Sequence, residues 1–302
     1  MARHGASFPD NSTHTAITQT QALCSFLMKS GILQRAFLAV LLATSVPGPA
    51  HAEELETSAA DGLDINDPTC QPTGQVQEPV VLLHGTSSNS SDWNDLIPKL
   101  TEQGMCVWAF DYGAEDLTMQ NAYHYFKGIG DLESSGREIA AQIEHVRQAT
   151  GAEKVDLVGY SQGGLHTKTF TQLYGSPEEV NRVVTVGANF HGTTWGGRGA
   201  AAHTAASVAP DIAKFVGTTA GIEQLQGSEF MENLNRLPDT APGITYTSIY
   251  SPADHTVTPS ATSQLNAVPG ADVVNVESAP MDHAQLPHDA RVEEQILWGL
   301  TR

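Results

Sequence analysis

The sequence predicts an α/β fold: about six mainly parallel strands flanked by helices, with a small cap or lid insertion. Three observations carry this. Short apolar runs alternate with helix-periodic segments from residue 79 to the end of the chain. The first run, PVVLL at 79–83, has no polar alternation, which is how a strand buried on both faces reads. One stretch, 195–237, breaks the rhythm: it is rich in Ala, Gly and Thr and has no convincing strand.

In order, 79–83 is a strand stopped by His84-Gly85, and Ser91-Asp92 caps a helix running to 103 with Gly104 as its stop. A second strand covers 106–110. A helix over 132–150 places Ile139, Ile143 and Val146 on one face and Gly151 just past its end. The pattern continues with a strand at 155–160, a helix at 162–174, strands at 183–186, 244–250 and 273–276, and a last helix at 290–300. Strand, helix, strand repeated in this way demands parallel pairing with helices on both faces. Inside the insertion, a helix around 205–216 reads either as a mobile lid over a lipid-binding cleft or as a packed helix filling space. With no internal repeat and no low-complexity linker, 53–302 is one domain.

Residues 1–52 read as a presequence. The apolar stretch at 36–46 is about half the ~20 residues a membrane-spanning helix needs, so stable membrane insertion is not expected. Lys29 and Arg35 precede it and Ala50-His51-Ala52 follows it, the order of a secretory signal peptide over about 28–52. Met28-Lys29 opens a compact signal peptide of its own, so 1–27 read as an upstream extension or a misplaced start. Cleavage after Ala52 would remove Arg3, Lys29 and Arg35 but only Asp10, taking the formal charge from −19 to −21. Cys24 leaves with this segment. In a secreted, extracellular chain the two remaining cysteines, Cys70 and Cys106, are expected to pair.

With 15 Lys and Arg against 34 Asp and Glu, and no basic run, the chain is not a nucleic-acid binder. Its 40 % hydrophobic content fits a globular domain and excludes collagen-like or largely disordered classes.

Gly159-Tyr160-Ser161-Gln162-Gly163 is a G-x-S-x-G pentapeptide lying between a predicted strand and a predicted helix, the setting a serine nucleophile on a sharp turn requires. The glycines belong there because neighbouring chain passes where a Cβ would collide. A serine hydroxyl needs a base and an orienting carboxylate, which follow in the order Ser, Asp/Glu, His. Asp254 sits directly after the 244–250 strand, at the sheet edge where open sheets place their sites. Asp211, Asp239, Asp272, Asp282 and Asp289 are its rivals. Among the later histidines, His255 is too close to the acid, His283 lies in the loop after the last strand, and His288 is the second candidate. Backbone donors for an oxyanion fall at Gln162, after the serine, and at Thr86, after the first strand; the Thr86 hydroxyl is a possible further donor. Neither a phosphate-binding loop nor a metal site is assigned: His283 and His288 are spaced wrongly for zinc, and Asp61, Asp64 and Asp67 miss the EF-hand pattern. No cofactor is expected. Of the four tryptophans, Trp195 sits where an acyl-binding cleft would open.

The segments PVVLLHGTSSNSSDW, AFDYG, VDLVGYSQGG, ANFHGTTWGG, SPADHTVTP and MDHAQL together resemble the secreted bacterial class 2 lipases of actinobacterial type, within the α/β-hydrolase superfamily. The likeness runs over most of 70–302, with departures in 53–66 and in the cap. It implies an α/β-hydrolase fold with Ser161 as nucleophile, Asp254 as acid, His283 as base, Thr86 and Gln162 as oxyanion donors, and a Cys70–Cys106 bridge. Thr86 with Ser161-Gln162-Gly163-Gly164 also resembles fungal lipase B, and His191-Gly192-Thr193 reads as a structural loop near the cleft. The expected activity is hydrolysis of acylglycerols or similar hydrophobic esters through an acyl-enzyme. The same triad would serve an acyltransferase or a polyester depolymerase, and a catalytically silent binding module is the reading from another class.

Overall fold

The computed structural model describes residues 65–115, 118–119 and 125–302. The presequence expected at 1–52, the start of the acidic lead, and Asp61 and Asp64 lie outside these residues. Six strands form one parallel sheet: β1 (Val80–Leu83), β2 (Val107–Ala109), β3 (Val155–Tyr160), β4 (Val180–Val186), β5 (Thr245–Tyr250) and β6 (Asp272–Glu277). Their order across the sheet is β2-β1-β3-β4-β5-β6, every pair parallel. The chain leaves β1 to one side and returns to β3 on the other, a reversal that opens a crevice at the carboxyl ends of β1 and β3.

All four β1 residues are fully buried because both sheet faces are covered. Val80 and Leu82 pack with Leu96, Leu100, Val292, Ile296 and Leu300. Val81 and Leu83, pointing the other way, pack with Ile139, Ile143, Val146 and Phe170. The first layer comes from α1 (Leu96–Glu102) and the C-terminal α8 (Ala290–Thr301), the second from α2 (Leu132–Thr150) and α3 (Gln162–Thr169). Gly151 ends α2 in the left-handed conformation, φ 72°.

Three helices differ from the sequence expectation: the one expected over 162–174 is α-helical to Thr169 and continues as a π-helix (Phe170–Tyr174), and the other two differ at a proline. The helix expected from Ser91 is a 3-10 turn (Ser90–Trp93) followed by α1, because in an unbroken helix the Pro98 ring would strike the Asn94 carbonyl. The single helix expected near 205–216 is a pair, α4 (Gly199–Val208) and α5 (Pro210–Gly217). Pro210 forces Ala209 out of helical geometry, to φ −142° and ψ 71°. Two short helices, α6 (Thr219–Glu223) and α7 (Glu229–Leu234), complete the insertion. Strand β4 starts three residues earlier than expected, since polar Asn181 and Arg182 conceal its first half in an apolar scan.

Residues 65–77 are fastened to the sheet edge. Ile65 bridges Val107, the Asn66 amide donates to the Ala109 carbonyl and accepts from its N–H at 2.9 Å each, and Cys70 is disulfide-bonded to Cys106 with Cα atoms 5.8 Å apart. Among the described residues no helix is long and apolar enough to cross a membrane.

Candidate active site

Ser161 occupies the turn between β3 and α3 with φ 53° and ψ −118°, a conformation a non-glycine residue holds only when its surroundings impose it. They do so through the Ser161 N–H, which donates to Val186 O at 2.9 Å, and Ser161 O, which accepts from the Leu165 N–H at 3.1 Å. The tightness of the turn explains two neighbours. A Cβ on Gly159 would stand 2.5 Å from the Gly163 carbonyl oxygen, and one on Gly163 would stand 2.1 Å from Leu83 O.

Asp254 follows β5, and His283 begins a 3-10 turn (His283–His288) after β6. The parallel register brings these strand ends to one edge of the sheet. His283 Nε2 lies 2.9 Å from Ser161 Oγ, and His283 Nδ1 lies 2.6 Å from Asp254 Oδ2. The other carboxylate oxygen, Asp254 Oδ1, accepts the N–H groups of Thr256 and Val257 at 2.8 Å each. The acid is thereby aimed from both sides. With Nδ1–H donating to the carboxylate, Nε2 is left to accept the serine proton. Ser161, Asp254 and His283 are 7 %, 6 % and 8 % exposed, all shielded from bulk water, and Ser161 and His283 line a cavity.

Two residues the sequence reading did not assign to the site hold the imidazole. The Tyr160 ring stacks on it at 5.0 Å between centroids, while the Tyr160 hydroxyl donates to the His283 carbonyl. Gly187, φ 57°, leaves room beside the ring, where a Cβ would come within 3.1 Å of His283 Cε1.

The rivals are occupied elsewhere. His288 faces Asp95 on the surface, His255 is exposed, and Asp289 caps α8. Asp272 pairs with Arg302, and Asp211 belongs to the first turn of α5. Asp239 is buried against Lys168 and His191 at 2.7 and 3.0 Å. Burial alone would raise its pKa, but the His191 hydrogen bond and the Lys168 charge hold it well below the usual carboxylate range.

Thr86 and Gln162 meet across the crevice, but through their side chains. The Thr86 hydroxyl donates to Gln162 Oε1 at 2.8 Å, with Gln224 Oε1 a second acceptor at 3.3 Å. Gln162 is the first residue of α3, and its backbone N–H therefore has no acceptor within the helix. The Thr86 loop is pinned from beneath. Asp92 Oδ2 accepts the Gly85 N–H at 3.0 Å, and buried His84 donates from Nδ1 to Gly85 O while its Nε2 accepts the Tyr112 N–H. Burial depresses the His84 pKa, which keeps the ring neutral for this double role.

Gln224, from the insertion, joins the same network. Its Nε2 donates to Thr86 Oγ1 at 2.9 Å and to Ala220 O at 3.0 Å, and its Oε1 accepts from Asn189 Nδ2 at 2.9 Å. Gln162 continues the chain to His166, whose pKa burial lowers to about 3. Nothing in the sequence announced Gln224 or Asn189: lone amides without periodicity carry no signal. Above Ser161 lies a cavity of about 180 Å³ walled by Thr86, Asn189, Thr193, Trp195, Val257 and His283 among others. His191-Gly192-Thr193 thus contributes Thr193 to the wall and His191 to the Asp239 cluster behind it. A hydroxyl, an imidazole and a carboxylate in one hydrogen-bonded line, beside the N-terminus of a helix, can generate a nucleophile and receive developing negative charge.

Residues 78–202 match the family model described as alpha/beta hydrolase fold. The chain is 27 % identical over 173 residues to a triacylglycerol lipase of Burkholderia plantarii, spanning 55 % of this chain and 42 % of that protein. It is 30 % identical over 122 residues to a triacylglycerol lipase of Pseudarthrobacter phenanthrenivorans, spanning 38 % of this chain and 34 % of that one. The matches therefore cover less than half the length of these relatives. Among solved structures, mature Bacillus licheniformis lipase BlEst2 superimposes with a TM-score of 0.56 at 20 % identity, covering 78 % of this chain and 96 % of that one. Aspergillus fumigatus lipase B gives 0.56 at 17 % identity, covering 88 % and 67 %. The chain has the α/β-hydrolase fold and is related in sequence to triacylglycerol lipases.

Proposed function

We propose that this protein is a secreted serine carboxylic-ester hydrolase of the class 2 lipase type, acting on acylglycerols or similar hydrophobic esters. The observation that carries the reading is the Ser161 Oγ–His283 Nε2–Asp254 line, at 2.9 and 2.6 Å, on the carboxyl edge of the sheet. Ser161 Oγ attacks the ester carbonyl carbon as its proton passes to His283 Nε2, and Asp254 stabilises the imidazolium that results. The tetrahedral oxyanion is received by the backbone N–H groups of Gln162 and Thr86. Collapse breaks the ester C–O bond, and the alcohol leaves with the proton from His283. Water, deprotonated by the same imidazole, then attacks the acyl-enzyme and releases the carboxylic acid with Ser161 restored. A mainly apolar cavity wall suits an acyl chain, and the sequence relatives named triacylglycerol lipases support the substrate class.

Ser161→Ala is expected to lower ester hydrolysis by about 10³-fold or more, to abolish labelling by a fluorophosphonate, and to leave the thermal unfolding curve in place. Hydrolysis by Ser161→Ala at the parent rate would overturn the assignment.

A further inference from the structure

Trp195 forms a wall of two cavities. One is the cavity of about 180 Å³ at Ser161; the other is a groove of about 410 Å³ between α4, α5 and α6, lined by Ala205, Val208, Ile212, Val216 and Ile222 with no polar side chain. The indole edge leans on α6, where a Cβ on Gly221 would lie 3.7 Å from Trp195 Cη2. Gly221 lines the Ser161 cavity, and its neighbour Ile222 lines the groove. The two spaces are separated there by the thickness of one side chain.

The backbone fixes the ring in this position. Trp195 has φ 52°, a left-handed conformation unusual for an aromatic residue, and Gly196 and Gly197 follow at 63° and 84°. The Trp195 N–H donates to Thr193 Oγ1 at 2.9 Å, and the Gly196 N–H donates to Thr258 Oγ1 at 2.8 Å. Thr258 is four residues beyond Asp254, so the wall is anchored to the loop that carries the acid. Strain of this kind persists only where surrounding contacts over-determine it, and it marks functional positions more often than neutral ones.

We infer that the Trp195 indole sets the acyl-chain length this enzyme accepts: it confines the Ser161 cavity to short chains and stands between that cavity and an apolar groove able to hold longer ones. The inference rests on the ester-hydrolase reading and adds to it a specificity-determining residue. The volumes argue for it. The cavity alone is below the roughly 300–1,000 Å³ of sites that enclose drug-sized ligands, and the groove brings the pair into that range. The groove also exposes Val208, Ile212 and Val216 by 80 %, 67 % and 54 %, apolar surface that an alkyl chain would remove from water. Its lack of polar groups fits the alkyl tail of the acyl moiety and not an alcohol such as glycerol, whose hydroxyls would be desolvated without partners.

The test is the ratio of kcat/KM for p-nitrophenyl dodecanoate to that for p-nitrophenyl butyrate. Trp195→Ala is expected to raise this ratio about tenfold or more, and Trp195→Phe to raise it less. Adding Ile212→Glu to Trp195→Ala is expected to reverse most of the gain by placing a charge in the groove. An unchanged ratio in a folded Trp195→Ala that still cleaves butyrate overturns the inference and leaves the hydrolase reading intact. Should Trp195→Ala fail to fold, Trp195→Phe carries the same comparison. If the parent protein cleaves neither ester and Ser161 takes no fluorophosphonate, the hydrolase reading falls and this inference with it.

Discussion

Asp254 and Asp156 are both buried carboxyls at strand ends, yet they are handled in opposite ways. Asp254 receives two backbone N–H groups and an imidazole. Asp156, on β3 at the far edge of the sheet, is fully buried and meets Arg182 Nη1 only at 3.4 Å and Asn181 Nδ2 at 3.1 Å. Burial dominates and pushes its pKa up to about 7, against the lowering effect of the Arg182 charge. The native state therefore binds a proton that the unfolded chain, titrating near 3.8, has already lost. Stability falls as pH rises between those values, and the full cost is present above about 7. Asp156→Asn, which mimics the protonated acid, is expected to gain stability relative to the parent by up to about 4 kcal/mol between pH 4 and pH 8, read from urea unfolding at each pH. An equal offset at both pH values would refute this. At the same scale, the three residues that meet in one hydrogen-bonded line, Ser161, His283 and Asp254, were legible as candidates in the sequence because the chemistry proposed for them fixes their order and strand ends fix their places. Tyr160 and Gly187, which hold the imidazole, were not: their roles depend on which loop lands beside them, and that is a property of strand order.

Elements were legible where burial on both faces made them uniformly apolar, as in β1, and where a cap marked an end, as at Gly151 after α2. They were obscured where local stereochemistry overrode composition. Pro98 and Pro210 each divide a segment whose periodicity reads as one helix, and Asn181 and Arg182 hide the start of β4. The lead before β1 reads as irregular because its order comes from long-range contacts: the Asn66 amide on β2 and the Cys70–Cys106 bridge across 36 residues. Replacing both cysteines by Ala is expected to lower unfolding stability by about 2–4 kcal/mol in the chain-entropy description. The bridge lies outside the Ser161 cavity, so kcat/KM on short esters at 25 °C is expected to stay within about twofold while the protein remains folded. A parallel loss of activity in folded protein would show that the sheet edge communicates with the site.

Over the whole molecule, acidic residues outnumber basic ones by 19, and removal of residues 1–52 would deepen the imbalance to −21. Such a surface keeps a protein soluble and sets it against anionic lipid, so a substrate interface would be met through apolar surface and not through charge. Export is expected to yield a protein beginning at Glu53; N-terminal sequencing of material recovered from the culture medium checks it, and retention in the cell with Met1 or Met28 intact would refute it. The amide relay from Ala220 O through Gln224 and Thr86 to Gln162 has a further consequence for how this architecture can be rearranged. The insertion is not a detachable accessory, because Gln224 supplies a hydrogen bond to the loop bearing a proposed oxyanion donor. A chimaera that exchanged 195–237 for a relative's cap would inherit that cap's substrate preference only if it also carried an amide able to reach Thr86. Without one, the transplant would deprive Thr86 Oγ1 of a donor and Asn189 Nδ2 of its acceptor at once, and the graft would fail at its seam before its new specificity could be expressed.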